Sequence, residues 1–396
     1  MYRERKPHIG FFGKRNNGKS TLINRLTGQD VAIVSDTPGT TTDPVRKSME
    51  IPVLGAAVII DTAGFDDTGK LGKMRVDKTR SVIKQIDLAV LIIAANSFDN
   101  DEKQIISNFS ECNIPFIAVH NKEDIEMATA ATREKYMHAG CAAFVVSSFN
   151  TSVDNIIEAI THAIPESAYT HPSMLGDIIS SSDIILLITP IDSEAPEGRI
   201  ILPQVQTIRD VLDNNGIAIT LKETEVENFL QTTGVKPRIV ITDSQIFPQA
   251  AAIIPADMML TSFSILLARY KGDFEAYKRG TPAISQLKDG DRVLMLESCT
   301  HHVSCEDIGR FKLPRLLKQH TRKHLEFEYV QGFDYLPRPV IEYALVIQCG
   351  GCVVTPKQLE QRLMPAIAAN IPVTNYGMAL AYIHGIYKRA IKPFEK

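Results

Sequence analysis

No stretch of eighteen apolar residues occurs anywhere in this 396-residue chain, so no membrane-crossing helix is expected. The opening segment, Met1-Tyr2-Arg3-Glu4-Arg5-Lys6-Pro7, leads directly into a strand pattern without the apolar centre of a secretion signal. A cytoplasmic protein without a membrane partner is the expectation. Cysteine is also scarce. Six are too few for a disulfide framework, and Cys299, Cys305, Cys349 and Cys352 crowd into the last third, which suggests metal chemistry in a reducing compartment. Charge of one sign is lacking too: the net charge is -3 and the pI about 6.4, so there is no global basic field to grip nucleic acid. Apolar residues, at 44%, are plentiful, and the length exceeds what one ordinary core fills. Two or three folded domains follow.

The residues Gly13-Lys14-Arg15-Asn16-Asn17-Gly18-Lys19-Ser20 match the phosphate-loop pattern at every fixed position. An apolar strand, Ile9–Phe12, precedes them, and a helical run from Thr21 follows, which is the context the motif requires. The two glycines let consecutive N–H groups curl around one anion. Lys19 is then placed to reach the β- and γ-phosphates, Ser20 to ligate Mg²⁺, and Asn16, Asn17 and Thr21 to complete the nucleotide contacts.

Three further signals follow in the order a GTPase needs. Asp36–Asp43 is a polar loop in which Thr41 is the expected switch residue, closing on Mg²⁺ and the γ-phosphate. Asp61-Thr62-Ala63-Gly64 stands at the end of the strand Val58–Ile60, where Asp61 can hold the Mg²⁺ shell and the Gly64 N–H can sense the γ-phosphate. Asn121-Lys122-Glu123-Asp124 follows the strand Phe116–His120, and the Asp124 carboxylate can accept from both guanine N1–H and the 2-amino group. Adenine offers no such pair. Ser147 and Ser148 end another strand, whose backbone is expected near guanine O6.

This set of motifs resembles the translation-factor-like GTPases of the TrmE and Era group, which carry Gly-Thr-Thr-x-Asp in the first switch, here Gly39–Asp43. Phe65 stands where Ras-type enzymes place a water-orienting glutamine, so slow intrinsic hydrolysis is expected. Asn16 occupies the position at which TrmE-like GTPases hold potassium. The resemblance implies K⁺ stimulation, while the residues alone also allow Asn16 a turn-shaping role. Cys112 and Cys141 have no partner spacing and read as small core residues.

Prolines and polar residues over Ile164–Pro172 mark a linker. Beyond it, strands at Ile184–Ile188, Ile217–Leu221 and Arg238–Thr242 alternate with helical patterns, implying a parallel sheet. Val205, Ile208, Val211 and Leu212 read as one helix face. The apolar helix from Thr261 to Arg269 reads either as core or as a self-association face, and Asp192, Glu194 and Glu197 as a solvated acidic loop.

In the last third, the strand Arg292–Glu297 leads to Cys299-Thr300-His301-His302, and the strand Tyr343–Gln348 leads to Cys349-Gly350-Gly351-Cys352. If these strands are parallel neighbours, Cys299, Cys349 and Cys352 surround one crevice at the carboxyl edge of the sheet. Three thiolates suit an iron-sulfur cluster, whose sulfides the two glycines can approach. Structural zinc on Cys299, His301, Cys349 and Cys352 is an alternative, as is a Cys349–Cys352 redox pair. Arg310, Lys312, Arg315, Lys318, Arg322 and Lys323 read as a basic helix.

The GTPase motifs, the middle α/β region and the paired Cys/His groups together resemble the HydF family, the maturation GTPases and scaffolds of FeFe hydrogenases. The family commonly has histidine where this chain has Gln348. The resemblance implies three α/β domains: a P-loop GTPase with a mostly parallel sheet (1–168), a dimerisation domain (172–270) and a cluster domain (271–396). It further implies GTP and GDP as ligands, a 4Fe-4S cluster on Cys299, Cys349 and Cys352, and a fourth position open to His301, His302, Glu306, Asp307, water or cargo. A homodimer, the apo FeFe hydrogenase and the radical-SAM maturases are the implied partners. An Era- or TrmE-like RNA-associated GTPase with structural zinc is the other expectation.

Overall fold

The computed structural model describes residues 6–28, 45–51, 55–65, 79, 81–168, 173–191, 200–298, 307–332, 334–352 and 354–395. The chain divides into two compact units, Met1–His171 and Pro172–Lys396.

The first unit is built on six strands: β1 (His8–Gly13), β2 (Val45–Ile51), β3 (Gly55–Asp61), β4 (Leu88–Ile93), β5 (Phe116–His120) and β6 (Ala143–Val146). Their order is β2-β3-β1-β4-β5-β6. Only β2 runs antiparallel, against β3, and the other pairings are parallel. All six residues of β4 are buried, as a central parallel strand covered on both faces requires. Leu88, Val90 and Ile92 face one core with Leu22 and Ile160. Ala89, Leu91 and Ile93 face the other with Phe12, Phe109 and Tyr136. Cys141 is core, as its isolated spacing suggested: its thiol donates to Ala143 O at 2.8 Å, and burial pushes its pKa up to about 11.

The second unit carries two four-stranded parallel sheets. One comprises β7 (Ile184–Ile188), β8 (Ile217–Leu221), β9 (Ile239–Thr242) and β10 (Met259–Ser262), in the order β10-β9-β7-β8. The other comprises β11 (Arg292–Glu297), β12 (Glu326–Gln331), β13 (Leu345–Gln348) and β14 (Val373–Asn375), in the order β12-β11-β13-β14. One buried cluster joins the two, since Leu186 and Val240 belong to the same core as Leu294 and Val346.

Two helix readings resolve here. The helix Phe263–Lys271 is interior: Ile265 and Ala268 enter the shared core, while Phe263, Leu266 and Leu267 enter a second one. The stretch expected as core or self-association face is thus core. In the helix Leu202–Asp213 the buried side chains are Pro203, Gln204, Thr207 and Val211, whereas Val205 is 46% and Leu212 55% exposed. The inferred single face is corrected. The buried stripe includes Gln204, whose side chain accepts from the Ile201 N–H at 3.0 Å, and the apolar periodicity lies partly on the outer side. The acidic loop Asp192–Glu197 lies outside the described residues.

Candidate functional site

In the first unit, β1 delivers the chain to Gly13 and the helix Lys19–Thr27 begins directly after Gly18. Gly18 has φ +86°, and a Cβ there would lie 2.4 Å from Asn121 Nδ2, so both backbone conformation and space demand glycine. The Asn17 side-chain amide donates to Ile92 O at 3.0 Å, and Asn121 Nδ2 donates to Asn17 O at 2.9 Å. These bonds tie the loop to the ends of β4 and β5. Lys19 is nearly buried, with Nζ donating to Gly13 O at 2.8 Å and Lys14 O at 2.9 Å. Ser20 Oγ donates to Asp61 Oδ2 at 3.0 Å. Burial pushes the Asp61 carboxyl above its usual pKa, opposed by Ser20, Lys19 and Lys47. Its Oδ1 is buried with no hydrogen-bond partner among the described residues. An orphaned anionic oxygen beside a hydroxyl fits the shell of Mg²⁺.

The loop Asn121–Asp124, expected to read the base, is held from beneath. His120 is fully buried, and its Nε2 accepts from the Asn96 N–H at 3.4 Å. The proton is therefore on Nδ1, which donates to Glu123 Oε2 at 2.9 Å. Glu123 also accepts from the Ala128 N–H, at 3.1 Å on Oε2. Its backbone N–H donates to Ser147 O at 3.0 Å, and Ser147 N–H donates to His120 O at 2.8 Å. Lys122 adopts φ +60°, and Asp124 is exposed. The Ser148 N–H meets Thr151 Oγ1 at 2.9 Å, so that donor is engaged within its own turn. Gly64 is half-buried, and Phe65 packs against the core containing Phe12 and Ile60. Thr41 lies outside the described residues.

Sequence reasoning did not single out Lys14. Its ammonium meets Glu102 at 3.1 Å and Asp101 at 3.6 Å, and also Asp99. Burial works against its charge, but Asp99 and Glu102 outweigh burial and its pKa stands above the usual lysine value. Asp99 and Glu102 form the capping box of the helix Asn100–Glu111, so the phosphate loop is anchored to that helix end.

In the second unit, β11 and β13 are adjacent and parallel, with Leu296 opposite Gln348. The condition for one crevice at their carboxyl ends is met. Cys299 and His301, with His302, Cys305 and Glu306, lie outside the described residues. Cys349 and Cys352 are described and half-buried. Their turn is fastened at both ends. Cys349 N–H donates to Leu296 O at 2.9 Å, and Thr355 and Gln358 form the capping box of the helix Pro356–Ala368. Between them the almost buried Lys271 donates to Gly351 O at 2.8 Å, Cys352 O at 2.9 Å and Val354 O at 3.1 Å. Gly351 takes φ +67°.

Ser298 N–H donates to Cys349 Sγ at 3.1 Å, and Gln348 Nε2 lies 3.3 Å from the same sulfur. Arg362 donates to Glu297 O at 2.9 Å and Val330 O at 3.1 Å, and its NH1 lies 3.4 Å from Ser298 Oγ. Burial lowers the Arg362 pKa below the ordinary arginine value. The almost fully buried Glu297 accepts from Arg310 in bidentate fashion, at 2.7 and 2.6 Å. Arg310, expected in the basic helix, is thus paired with Glu297, and its guanidinium lies over Tyr329 at 4.5 Å. Arg315, Lys318 and Arg322 are exposed. Asp307 is nearly buried and accepts from the Arg310 N–H at 2.8 Å. Two thiols at a strand-to-helix turn with backbone and amide donors on one of them are a donor set that fits an iron-sulfur cluster. Nothing in the sequence marks Arg362 or Lys271 for these roles, because both act on backbone carbonyls brought near only by folding.

Comparison with known proteins gives three family matches. Residues 8–122 match the 50S ribosome-binding GTPase model, residues 174–272 the hydrogen maturase F dimerization domain, and residues 275–393 the hydrogen maturase F tetramerization domain. The tRNA modification GTPase MnmE of Nitrosomonas europaea is 38% identical over 115 residues, which is 28% of this chain and 25% of that protein. GTPase Era of Carboxydothermus hydrogenoformans is 29% identical over 171 residues, 41% of this chain and 57% of that protein. The chain thus spans a quarter of the one relative and little more than half of the other. Among solved structures, an Era variant from Aquifex aeolicus bound to GDP and aluminium fluoride is similar with 19% identity and a TM-score of 0.37, over 58% of this chain and 99% of that one.

Proposed function

The chain belongs to the HydF family of hydrogenase maturation GTPases, and we propose that it is a GTP-switched scaffold carrying a 4Fe-4S cluster in its second unit. The first unit binds and hydrolyses GTP, with Gly13, Asn16, Asn17, Gly18, Lys19 and Thr21 around the phosphates, and Ser20, Thr41 and Asp61 at Mg²⁺. Gly64 senses the γ-phosphate, while Asn121, Lys122, Asp124, Ser147 and Ser148 frame the base. Lys19 neutralises charge as the terminal phosphate leaves. Because Phe65 is turned into the core and cannot orient water, hydrolysis is slow, and K⁺ held near Asn16 accelerates it.

Cys299, Cys349 and Cys352 hold the cluster. When bound, it would supply an iron able to take an exchangeable ligand, the chemistry a scaffold needs to carry a di-iron cargo for apo FeFe hydrogenase. Radical-SAM maturases supply that cargo. The observation that supports this reading is the parallel adjacency of β11 and β13, which sets Ser298, the residue before Cys299, against Cys349. The matches to MnmE and Era are confined to less than half of the chain, so they do not favour an RNA-associated GTPase with zinc. Anaerobic purification with metal and sulfide analysis is the test. Iron and acid-labile sulfide are expected, and are lost in Cys349→Ala and Cys352→Ala; zinc or no metal would overturn the cluster.

A further inference from the structure

Gln348 ends β13 with no solvent exposure, in a position where a polar side chain needs a reason to be. Its Nε2 lies 2.9 Å from Ser298 Oγ, 3.2 Å from Cys349 O and 3.3 Å from Cys349 Sγ. Three acceptors around one nitrogen settle the amide orientation, since the flipped amide would set its oxygen against a carbonyl and a sulfur. The outward Oε1 is buried without a partner among the described residues. Orphaning one acceptor costs about 1–3 kcal/mol, and the arrangement accepts that cost to keep two donors aimed at the Cys349 side.

Ser298 is the second half of the arrangement. Its N–H donates to Cys349 Sγ at 3.1 Å. Its hydroxyl oxygen receives Gln348 Nε2 and, at 3.4 Å, Arg362 NH1. With its lone pairs so engaged, the hydroxyl proton is free to turn toward Cys349 Sγ, 3.2 Å away. A metal-bound thiolate carries no proton and can only accept there. Three donors then meet one sulfur: the Ser298 N–H, the Ser298 O–H and the Gln348 amide.

We propose that Gln348 and Ser298 form a donor seat for the Cys349 thiolate that makes the cluster it holds easier to reduce. Gln348, in the place of the histidine the family commonly has, is on this account a positioning residue and no ligand. Donors on a ligating sulfur withdraw electron density, and so favour the reduced cluster, which carries one more negative charge. One electron from an external reductant enters the cluster, and no bond in the protein is made or broken.

The proposal rests on the cluster reading, and the test separates the two. The full chain is reconstituted anaerobically with iron and sulfide, its iron and sulfide content measured, and its midpoint potential read by dithionite titration followed by EPR. Gln348→Leu and Ser298→Ala are compared with the parent chain. Absence of iron and sulfide from the parent chain would sink the cluster reading, and the proposal with it. With the parent loaded, the expected result is that each variant retains cluster and shifts to lower potential, by about tenfold in the reduction equilibrium, or ~59 mV for a one-electron couple. Ser298→Ala keeps the backbone donor and the packing, so it decides the matter if Gln348→Leu misfolds. An unchanged potential in loaded Ser298→Ala overturns the proposal. So does loss of the cluster from folded Ser298→Ala, because the network would then serve assembly and not redox tuning.

Discussion

Asp124 is proposed to read the guanine base, and the fold supports that role from beneath. Its carboxylate is exposed, while the loop beneath it is fixed by the His120–Glu123 hydrogen bond and by backbone bonds between the two base-site loops. Asp124→Asn is expected to weaken GTP binding by about 1.5–3 kcal/mol, roughly 10- to 150-fold in Kd, for the lost charge-assisted bonds. The variant should gain affinity for xanthine nucleotides, whose base presents the complementary pattern. Calorimetric titration with both nucleotides checks this, and equal GTP affinity would remove Asp124 from the base site. Asn16, at φ +64°, is a turn-former on geometry alone. Turnover measured in potassium and in sodium at equal ionic strength separates that role from cation binding: a faster rate in potassium, abolished in Asn16→Ala, is expected.

At the scale of elements, the strand-to-helix turn of Cys349–Cys352 is fastened from outside itself. Lys271 ends an interior helix and spends its ammonium on three carbonyls of that turn. Lys271→Met preserves the stem's packing and removes the donors. Hydrogen bonds to a charged group are worth about 1.5–3 kcal/mol each, so the loss for three coupled ones is expected to reach about 3 kcal/mol. A lowered denaturant midpoint for the second unit, with the GTP affinity of the first unchanged, is the readout; an unaltered midpoint would show that the turn holds itself. The capping boxes at Asp99–Glu102 and Thr355–Gln358 are local counterparts, and both are legible as Ser/Thr/Asp followed by Glu/Gln at three residues' distance.

On the scale of the whole molecule, self-association is the open property of a chain whose family models are named for it. The helix Phe263–Lys271 is excluded as a contact face by its burial. Among the apolar side chains exposed in the described residues, Leu202, Val205 and Leu212 share one helix and Ile217 stands on β8, which among the described residues is an edge strand. A dimer that covers this edge is expected. Sedimentation of the full chain should show a dimer that Leu212→Glu with Ile217→Glu converts to monomer, at undiminished GTP binding; an unchanged oligomer would place the contact elsewhere. None of the described helices is long and apolar enough to cross a membrane.

The nucleotide site was legible in the sequence because its chemistry is local. Each contact group is a short run at a strand end, and continuous apolar strands such as Leu88–Ile93 announce a parallel sheet without any partner being known. Shorter or more polar strands escaped: β14 has three residues, and β12 alternates Glu and aromatic residues with only Val330 buried. Burial also escaped, since the apolar residues of Phe263–Lys271 turned out interior while Val205 and Leu212 of Leu202–Asp213 turned out exposed. What folding alone decided is the company each residue keeps. The sequence by itself determined a phosphate loop, a guanine-reading carboxylate and cysteines at the ends of two strands; only the tertiary structure set those strands side by side, drew Arg310 onto Glu297, and brought Ser298, Gln348 and Arg362 around Cys349. Contacts set by the fold have no periodicity to betray them, because they depend on sheet register and helix placement and not on neighbouring sequence.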